Sequence, residues 1–399
     1  MMLAPPAGPR PGSRGRVLAA MSGGVDSSVA ALVLKEAGYE VIGVTMAIWP
    51  ERSASENHNS DGCCGVGAAD DARAVARRLG IPHYTLDLRE PFEENVIRDF
   101  EREYANGRTP NPCVECNRTI KFDALVEKAD ELGCEYLATG HYARTLPLPG
   151  RDAGVGLYTG LDPLKDQSYV LYPVAKPVLD RVLFPLGSYR KPEVRDRARE
   201  AGLSVWNHPD SVELCFVGRS YQEFLAQARP DVVHEGEIRD TSGRVIGTHR
   251  GVAFFTIGQR RNLGLAGGTG DALYVVDLDA VENVVVVGPR EEAQALSLTA
   301  DLMNWLGPVP SAGSEVTVRV RAHGPLTGAR VVGAASDSVT VELDGPVFAP
   351  APGQGLVLYD GERVIGGGRL EKPRRTMGQA ASRRHTARGE GAQAPGSSV

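Results

Sequence analysis

The sequence predicts an α/β fold in its first half and β-rich structure in its second. Three observations carry this. From Arg16 to about Trp206, short apolar, β-branched runs alternate with helical patterns. Each run lies a helix away from the next, which demands crossover connections and therefore a parallel sheet. From about Gly236, runs such as "NVVVVG", "EVTVRVRAHG" and "SVTVELD" follow one another closely between Gly, Pro, Asp and Ser. That spacing indicates antiparallel sheet or barrel.

The elements follow in order. Strands are expected over residues 17–21, 40–48, 83–88 and 135–139. The first helix, over 27–37, stops at Gly38, a good residue just past a helix end. The second, over 68–79, stops at Gly80 with Pro82 just beyond. The third, over 90–105, has Pro91 in its first turn, where a missing N–H costs nothing. The fourth, over 119–132, stops at Gly133. This gives an α/β domain over 16–212, a small β-rich middle domain over 213–288 and an antiparallel β-barrel over 289–372. The tails, 1–15 and 373–399, lack apolar periodicity and are expected to be disordered. A chain of 399 residues accommodates three such units. No apolar run reaches membrane-spanning length, and the N-terminus lacks the apolar centre of a secretion signal. A cytoplasmic protein with its six cysteines reduced is the expectation. The net charge of −6 does not suggest nucleic acid, although a binding face needs only local positive charge.

The first chemical signal is "VLAAMSGGVDSSVAALVL", Val17–Leu34. A strand, a glycine turn and a helix start build an anion site from backbone N–H groups and the helix dipole. Gly23 and Gly24 permit close approach; Ser22, Ser27 and Ser28 add hydroxyls. The bland alternative is a tight turn with Asp26 favouring the dipole. A Walker loop is absent, for no Lys follows the glycines.

The stretch resembles the pyrophosphate loop, S-G-G-x-D-S, of the ATP-pyrophosphatase (PP-loop) superfamily. Further motifs follow in order: "GRTPNPCVECNRTIKFD", "ATGHYAR", "LDPLKDQSYVLY", "FPLGSYRKPEVRDRA", "DSVELCFVG" and "HRGVAFFTIGQRRNLGL". Together they resemble the tRNA-specific 2-thiouridylases, the MnmA/TrmU family, from about Arg16 to Leu370. The resemblance implies a Rossmann-like PP-loop catalytic domain over 16–212 and a tRNA-contacting middle domain over 213–288. It also implies a reaction in which ATP adenylates the C2 oxygen of the wobble uridine and persulfide sulfur replaces it, releasing AMP and pyrophosphate.

By motif position, Cys215 resembles the persulfide carrier and Cys116 the second catalytic cysteine, acting on the persulfide through a transient Cys116–Cys215 disulfide. Cys116 is read as lying at a helix start, where the dipole favours thiolate. Cys134 is read as a core residue. The resemblance places Ala20, Met21, Ser22, Gly23, Gly24, Val25, Asp26 and Ser27 on the phosphates of ATP, with Met46 and Gly140 on its adenosine. It places Asn111, Pro112, Cys113, His141, Lys165, Asp166, Gln167, Arg321 and Gln354 on tRNA. Tyr142, Tyr169 and Tyr172 are candidates for stacking on bases, with a core role as the alternative. Mg²⁺ is expected with ATP. The implied partners are tRNAs for Lys, Glu and Gln and a cysteine desulfurase or sulfur relay, with no membrane.

Cys113 departs from a common family pattern, in which an acid follows Asn-Pro. The change creates Cys113-x-x-Cys116, and with Cys63 and Cys64 upstream it raises an iron–sulfur cluster as an alternative; no metal ligand is assigned. Two other readings of the chain are a relative using ammonia or an amino acid as nucleophile, and a non-catalytic ATP- or RNA-binding protein. Neither needs a cysteine pair.

Overall fold

The computed structural model describes residues 12, 14–48, 67–149, 154–210, 214–217, 220–265 and 272–373. It begins with β1 (Arg16–Ala20), α1 (Val25–Glu36), β2 (Glu40–Ala47), α2 (Ala68–Leu79) and β3 (His83–Asp87). β1 is buried throughout, as a central parallel strand covered on both faces must be. α2 buries Ala72, Val75, Ala76 and Leu79, one stripe at helical spacing, and ends on Gly80 at φ 64°.

A helical run over 89–105, α3, has one widened turn at Glu93–Ile97. A second run over 112–131, α4, precedes β4 (Tyr136–Ala138). α4 starts seven residues earlier than the sequence pattern suggested. The reason is local: Asn111 caps it, its side chain accepting from the Cys113 N–H at 3.1 Å, and Pro112 takes the first helical position.

Next come β5 (Ala143–Pro147), β6 (Val155–Thr159), β7 (Val182–Leu183) and α5 (Lys191–Glu200). The parallel sheet runs β3-β2-β1-β4-β7. The chain leaves β1 to one side and returns to the other as β4. The order therefore reverses between these neighbours, and the crevice at their carboxyl ends is where such sheets bind ligands.

The middle region opens with α6 (Tyr221–Ala228), a helix the sequence pattern did not reveal, capped by Ser220. It continues with β8 (Gly236–Asp240), β9 (Val245–His249), β10 (Tyr274–Asp279) and β11 (Val284–Gly288), in the order β10-β11-β8-β9. The C-terminal region holds β12 (Gln294–Trp305), β13 (Glu315–Arg319), β14 (Thr327–Ala334), β15 (Ser338–Phe348), β16 (Gly355–Asp360) and β17 (Arg363–Leu370). These six form an antiparallel barrel, closed by β12 on β17. Leu298, Val318, Val331, Val341, Leu356 and Leu358 fill it. The β5–β6 hairpin joins this sheet rather than the parallel one, with Tyr158 opposite Arg363 and Leu157 opposite Val364. No helix among the described residues is long and apolar enough to cross a membrane.

The barrel also grips the start of α4. Thr109 N–H donates to the Pro352 carbonyl at 2.7 Å. Arg369 lies 3.1 Å from Glu115, 3.4 Å from Glu103 and 3.8 Å from Asp99. Burial holds the Asp99 carboxyl above its ordinary value, against the pull of Arg369. Arg369→Gln would leave three carboxylates facing one another. It is expected to cost about 3 kcal/mol, the scale of a buried pair losing one partner, measured by urea unfolding at pH 7. The loss should shrink as pH falls, because protonation of the raised Asp99 removes the repulsion from Glu115 and Glu103 that Arg369 offsets in the wild type.

Candidate active site

The loop after β1 leaves backbone N–H groups open at the start of α1. Gly23 sits at φ 76°, and a Cβ there would fall 2.4 Å from the Ala68 carbonyl oxygen, so no side chain fits. Gly24 is the N-cap of α1, and no side chain caps the helix. Ser27 and Ser28 turn their hydroxyls back onto the Gly24 carbonyl, at 3.2 and 2.8 Å. Ser22 N–H donates to Ser27 Oγ at 3.0 Å and fixes the loop. The first-turn N–H groups of Val25, Asp26 and Ser27 are thus left to an incoming anion at the positive end of α1. Gly140, just past β4, closes the other wall: a Cβ there would fall 2.8 Å from Ser27 N. Met46 is buried near the carboxyl end of β2, two residues beyond Val44, whose carbonyl accepts the Met21 N–H at 2.8 Å. Residues 20–27, Met46 and Gly140 therefore share the carboxyl ends of three adjacent strands.

The lysine missing from the loop comes from elsewhere. Lys191, the first residue of α5, places Nζ 2.8 and 2.7 Å from the two oxygens of Asp26. Tyr142 Oη donates to Asp26 Oδ1 at 2.8 Å. Lys191 is buried, and its own N–H donates to Asp162 at 3.0 Å, so the side chain starts from a fixed point. Its ammonium also lies 2.9 Å from Asp210, which receives Lys165 at 2.7 Å and Arg195 at 2.5 Å. Burial opposes ionisation of Asp210, but hydrogen bonds from Lys165 and Lys191 outweigh it and bring the carboxyl down to about 2. Two acids and three cations thus link the loop after β1 to the segment leading into Cys215.

The residues expected on RNA divide into two groups. Lys165 is partly exposed and Arg321 exposed. His141 is buried, its Nδ1 2.7 Å from Thr139 Oγ1, between the rings of Phe122 and Phe184. Burial, helped by Lys121, pushes its pKa well below the ordinary value, so the imidazole is neutral. Gln167 locks the same loop: its side-chain oxygen accepts the Tyr142 N–H at 3.0 Å and its own N–H donates to the Tyr142 carbonyl at 2.9 Å.

Asp166 points inward. Its carboxylate accepts from Gly160 N at 3.0 Å, from Ser168 N at 3.1 Å, from Ser168 Oγ at 3.0 Å and from Arg319 at 2.8 Å. It supplies the counter-charge of the half-buried Arg319 on β13, and both its oxygens are engaged within the protein. Gln354 donates from Nε2 to the Thr109 and Pro110 carbonyls, at 2.9 and 3.3 Å, and so holds the loop before α4. Tyr169 and Tyr172 are buried, Tyr169 paired through its hydroxyl with both backbone groups of Gly355 at 2.9–3.0 Å; both are core residues and not stacking platforms. Tyr142 is likewise buried and holds Asp26.

Of the cysteines, Cys113 is exposed and Cys116 buried. Both lie within α4, one turn apart on one face. Because α4 starts at Pro112, Cys113 occupies the first turn, where the dipole acts, and Cys116 lies one turn inside rather than at the helix start. Cys215 is half-buried in a turn closed by Val217 N–H on the Leu214 carbonyl at 3.0 Å. Its neighbour Phe216 anchors that turn on α3, 5.9 Å from Phe92 and 5.2 Å from Phe100 between ring centres. α4 packs against α3 as well. Cys116 belongs to the same apolar cluster that Cys215 packs against. Cys134 is buried, its thiol pushed up to about 11 by burial. Cys63 and Cys64 lie outside the described residues; among the described residues no group of three or more His, Cys, Asp or Glu is placed to hold a metal ion.

Similarity to known proteins follows this geometry. The family described as tRNA methyl transferase HUP domain matches residues 15–219. The tRNA methyl transferase PRC-barrel domain matches 222–289, and the aminomethyltransferase beta-barrel domain matches 296–370. A protein of Carboxydothermus hydrogenoformans named tRNA-specific 2-thiouridylase MnmA is 46% identical, over 90% of this chain and 98% of its own. The chain belongs to the tRNA-specific 2-thiouridylase family. A member from Heliobacterium modesticaldum, with the same name, is 45% identical over 89% of this chain and 92% of its own. A solved 4-thiouridine synthetase–RNA complex with bound ATP is similar over 54% of this chain and 51% of that one, at 19% identity and a TM-score of 0.35, too low to carry an argument.

Within this member of the 2-thiouridylase family, Lys191 and Asp210 are the residues that sequence reasoning passed over. A signal for Lys191 exists. It precedes Pro192 at the start of a helix, where a buried lysine is unusual and needs an acid partner.

Proposed function

We propose that this chain is an ATP-dependent tRNA 2-thiouridylase. The observation that carries the adenylation half is the uncapped start of α1 with the Lys191–Asp26 pair beside it. Backbone N–H groups there suit the β,γ-phosphates, and Lys191 supplies positive charge as pyrophosphate leaves. Mg²⁺ travels with ATP, held mostly by its phosphates. Asp26, beside Lys191 at the start of α1, is the carboxylate at hand for it, so the donor set fits.

The chemistry follows in balanced steps. The uridine C2 oxygen attacks the α-phosphorus and pyrophosphate departs. The terminal sulfur of a Cys215 persulfide attacks C2, and AMP leaves with the oxygen. Cys116 thiolate then attacks Cys215 Sγ, freeing the sulfur on the base and forming a Cys116–Cys215 disulfide that a thiol reductant reopens. Packing of both cysteine segments on α3 supports this pairing. The wobble base must leave the anticodon stack to reach the crevice, and loop bases cost least to extrude. The tRNAs for Lys, Glu and Gln are the proposed substrates, and a cysteine desulfurase or relay the sulfur source.

The test is reconstitution of wild type with ATP, Mg²⁺, unmodified tRNA, cysteine desulfurase and cysteine, read by nucleoside mass spectrometry. Thiouridine and tRNA-dependent AMP are expected together. AMP without thiouridine would leave adenylation standing and overturn the sulfur step. Absence of both, with a competent donor, would remove the proposal.

A further inference from the structure

The chain is acidic overall, at −6, and many of its described arginines are tied to carboxylates. Arg16 pairs with Glu40, Arg118 with Glu115, Arg195 with Asp210 and Arg319 with Asp166. Arg260, Arg261, Arg290 and Arg321 have no ion-pair partner among the described residues, and all four are exposed. Arg290 and Arg321 meet at Phe348, where the middle sheet meets the barrel, and Arg260 and Arg261 lie on the turn just after Gly258, which abuts Ala349.

The guanidinium of Arg290 lies over the Phe348 ring, 4.0 Å from its centre. Arg321 donates to the Phe348 carbonyl at 3.2 Å. Tyr274 of β10 meets the ring edge-on at 5.5 Å. On the remaining side sits Gly258, where a Cβ would fall 2.4 Å from Ala349 Cβ and 3.4 Å from Phe348 Cε1. Arg260 and Arg261 follow on that turn, which Gln259 fixes by accepting from Thr256 N at 3.2 Å and donating to the Arg261 carbonyl at 3.0 Å. Glu291 and Glu292 come directly after Arg290, yet neither pairs with it.

Like charges brought to one place without a paired carboxylate repel one another. Gathering arginines beside Phe348 without a carboxylate partner adds nothing to stability. Stacking on Phe348 uses the face of the Arg290 guanidinium and leaves its N–H edges outward, the geometry that suits a phosphate bidentately. Several such groups on fixed backbone match a ligand with repeating phosphates.

We infer that the Phe348 platform is an RNA-backbone face, outside the crevice where the base reacts, with Arg290 its central phosphate ligand. This rests on the proposed RNA substrate and extends it to Arg290, which lies outside every motif quoted above.

The experiment measures tRNA affinity against KCl concentration for wild type, Arg290→Gln, Arg290→Lys and the control Arg330→Gln, whose arginine is paired with Glu315 elsewhere on the barrel. Arg290→Gln is expected to weaken tRNA binding several-fold. It should also lower the slope of log K against log salt by about one, because one phosphate fewer is neutralised. KM for ATP and the thermal midpoint should stay at wild-type values. Arg290→Lys, which keeps the charge, should keep the slope, and Arg330→Gln should match wild type. An unchanged slope in Arg290→Gln beside a salt-dependent wild type would overturn this inference alone. Tripolyphosphate competing as well as tRNA, phosphate for phosphate, would replace the RNA face by a general anion site. No tRNA binding by wild type would overturn both this inference and the proposed substrate.

Discussion

Lys191→Met is expected to lower tRNA-dependent AMP formation by about 10²-fold or more, the scale on which removing one preorganised charge from a site of developing negative charge acts. The substitution keeps most of the stem and deletes the ammonium. That group lies within 2.9 Å of Asp26 and Asp210 at once, and no other described cation bonds Asp26. Charge builds on the leaving pyrophosphate as the α–β bond breaks, so the loss should fall on kcat more than on KM for ATP. Asp210 keeps Lys165 and Arg195, and Asp26 keeps Tyr142, so the fold has partial compensation. A thermal midpoint close to wild type, measured beside the AMP assay, separates lost chemistry from lost structure. AMP formation within about threefold of wild type in folded Lys191→Met would remove Lys191 from the adenylation step. The role of the loop after β1 would then have to rest on its backbone alone.

The part of the site built from local chain was legible in the sequence. The loop after β1 is contiguous: an apolar strand, two glycines at the turn, and a helix start. Nothing distant is needed to see it. Lys191 was not legible in that way, because it lies 165 residues from Asp26 and reaches it only after the parallel sheet has formed. The inward partners of Asp166 were hidden for the same reason. That residue sits in a run of polar residues that reads as a binding surface, but Arg319, brought by the distant barrel, turns its carboxylate inward. The α4 boundary was an error of local reading. Asn111-Pro112 is a cap followed by a first-turn proline, a start signal that the expected helix over 119–132 left out. Moving the helix start to Pro112 shifts the dipole argument from Cys116 to Cys113. The β5–β6 hairpin shows the limit on the fold. Its alternating pattern marked no sheet, and it pairs with the distant β17, a choice that only tertiary packing makes.

Cys116→Ser and Cys215→Ser are each expected to abolish thiouridine formation, but to stop at different points. Serine preserves shape and removes the soft, ionisable sulfur on which both steps depend. Without Cys215 there is no carrier, so the protein incubated with a desulfurase should gain no reducible sulfur by intact mass. Without Cys116 the carrier should still load. Sulfur delivered to the base then has nothing to release it, and a reductant-sensitive link between Cys215 and tRNA should accumulate. Cys134→Ala is the comparison. That thiol is pushed up to about 11 by burial and lies just before β4, outside both cysteine-bearing segments, so thiouridine formation should survive its loss. The sequence of failures matters more than the loss itself. A Cys116→Ser protein that still made thiouridine would show that the persulfide releases its sulfur unaided, or that Cys113, one turn away on the same face of α4 and exposed, can stand in. The double variant Cys113→Ser/Cys116→Ser distinguishes these: only the second explanation predicts that thiouridine disappears with it.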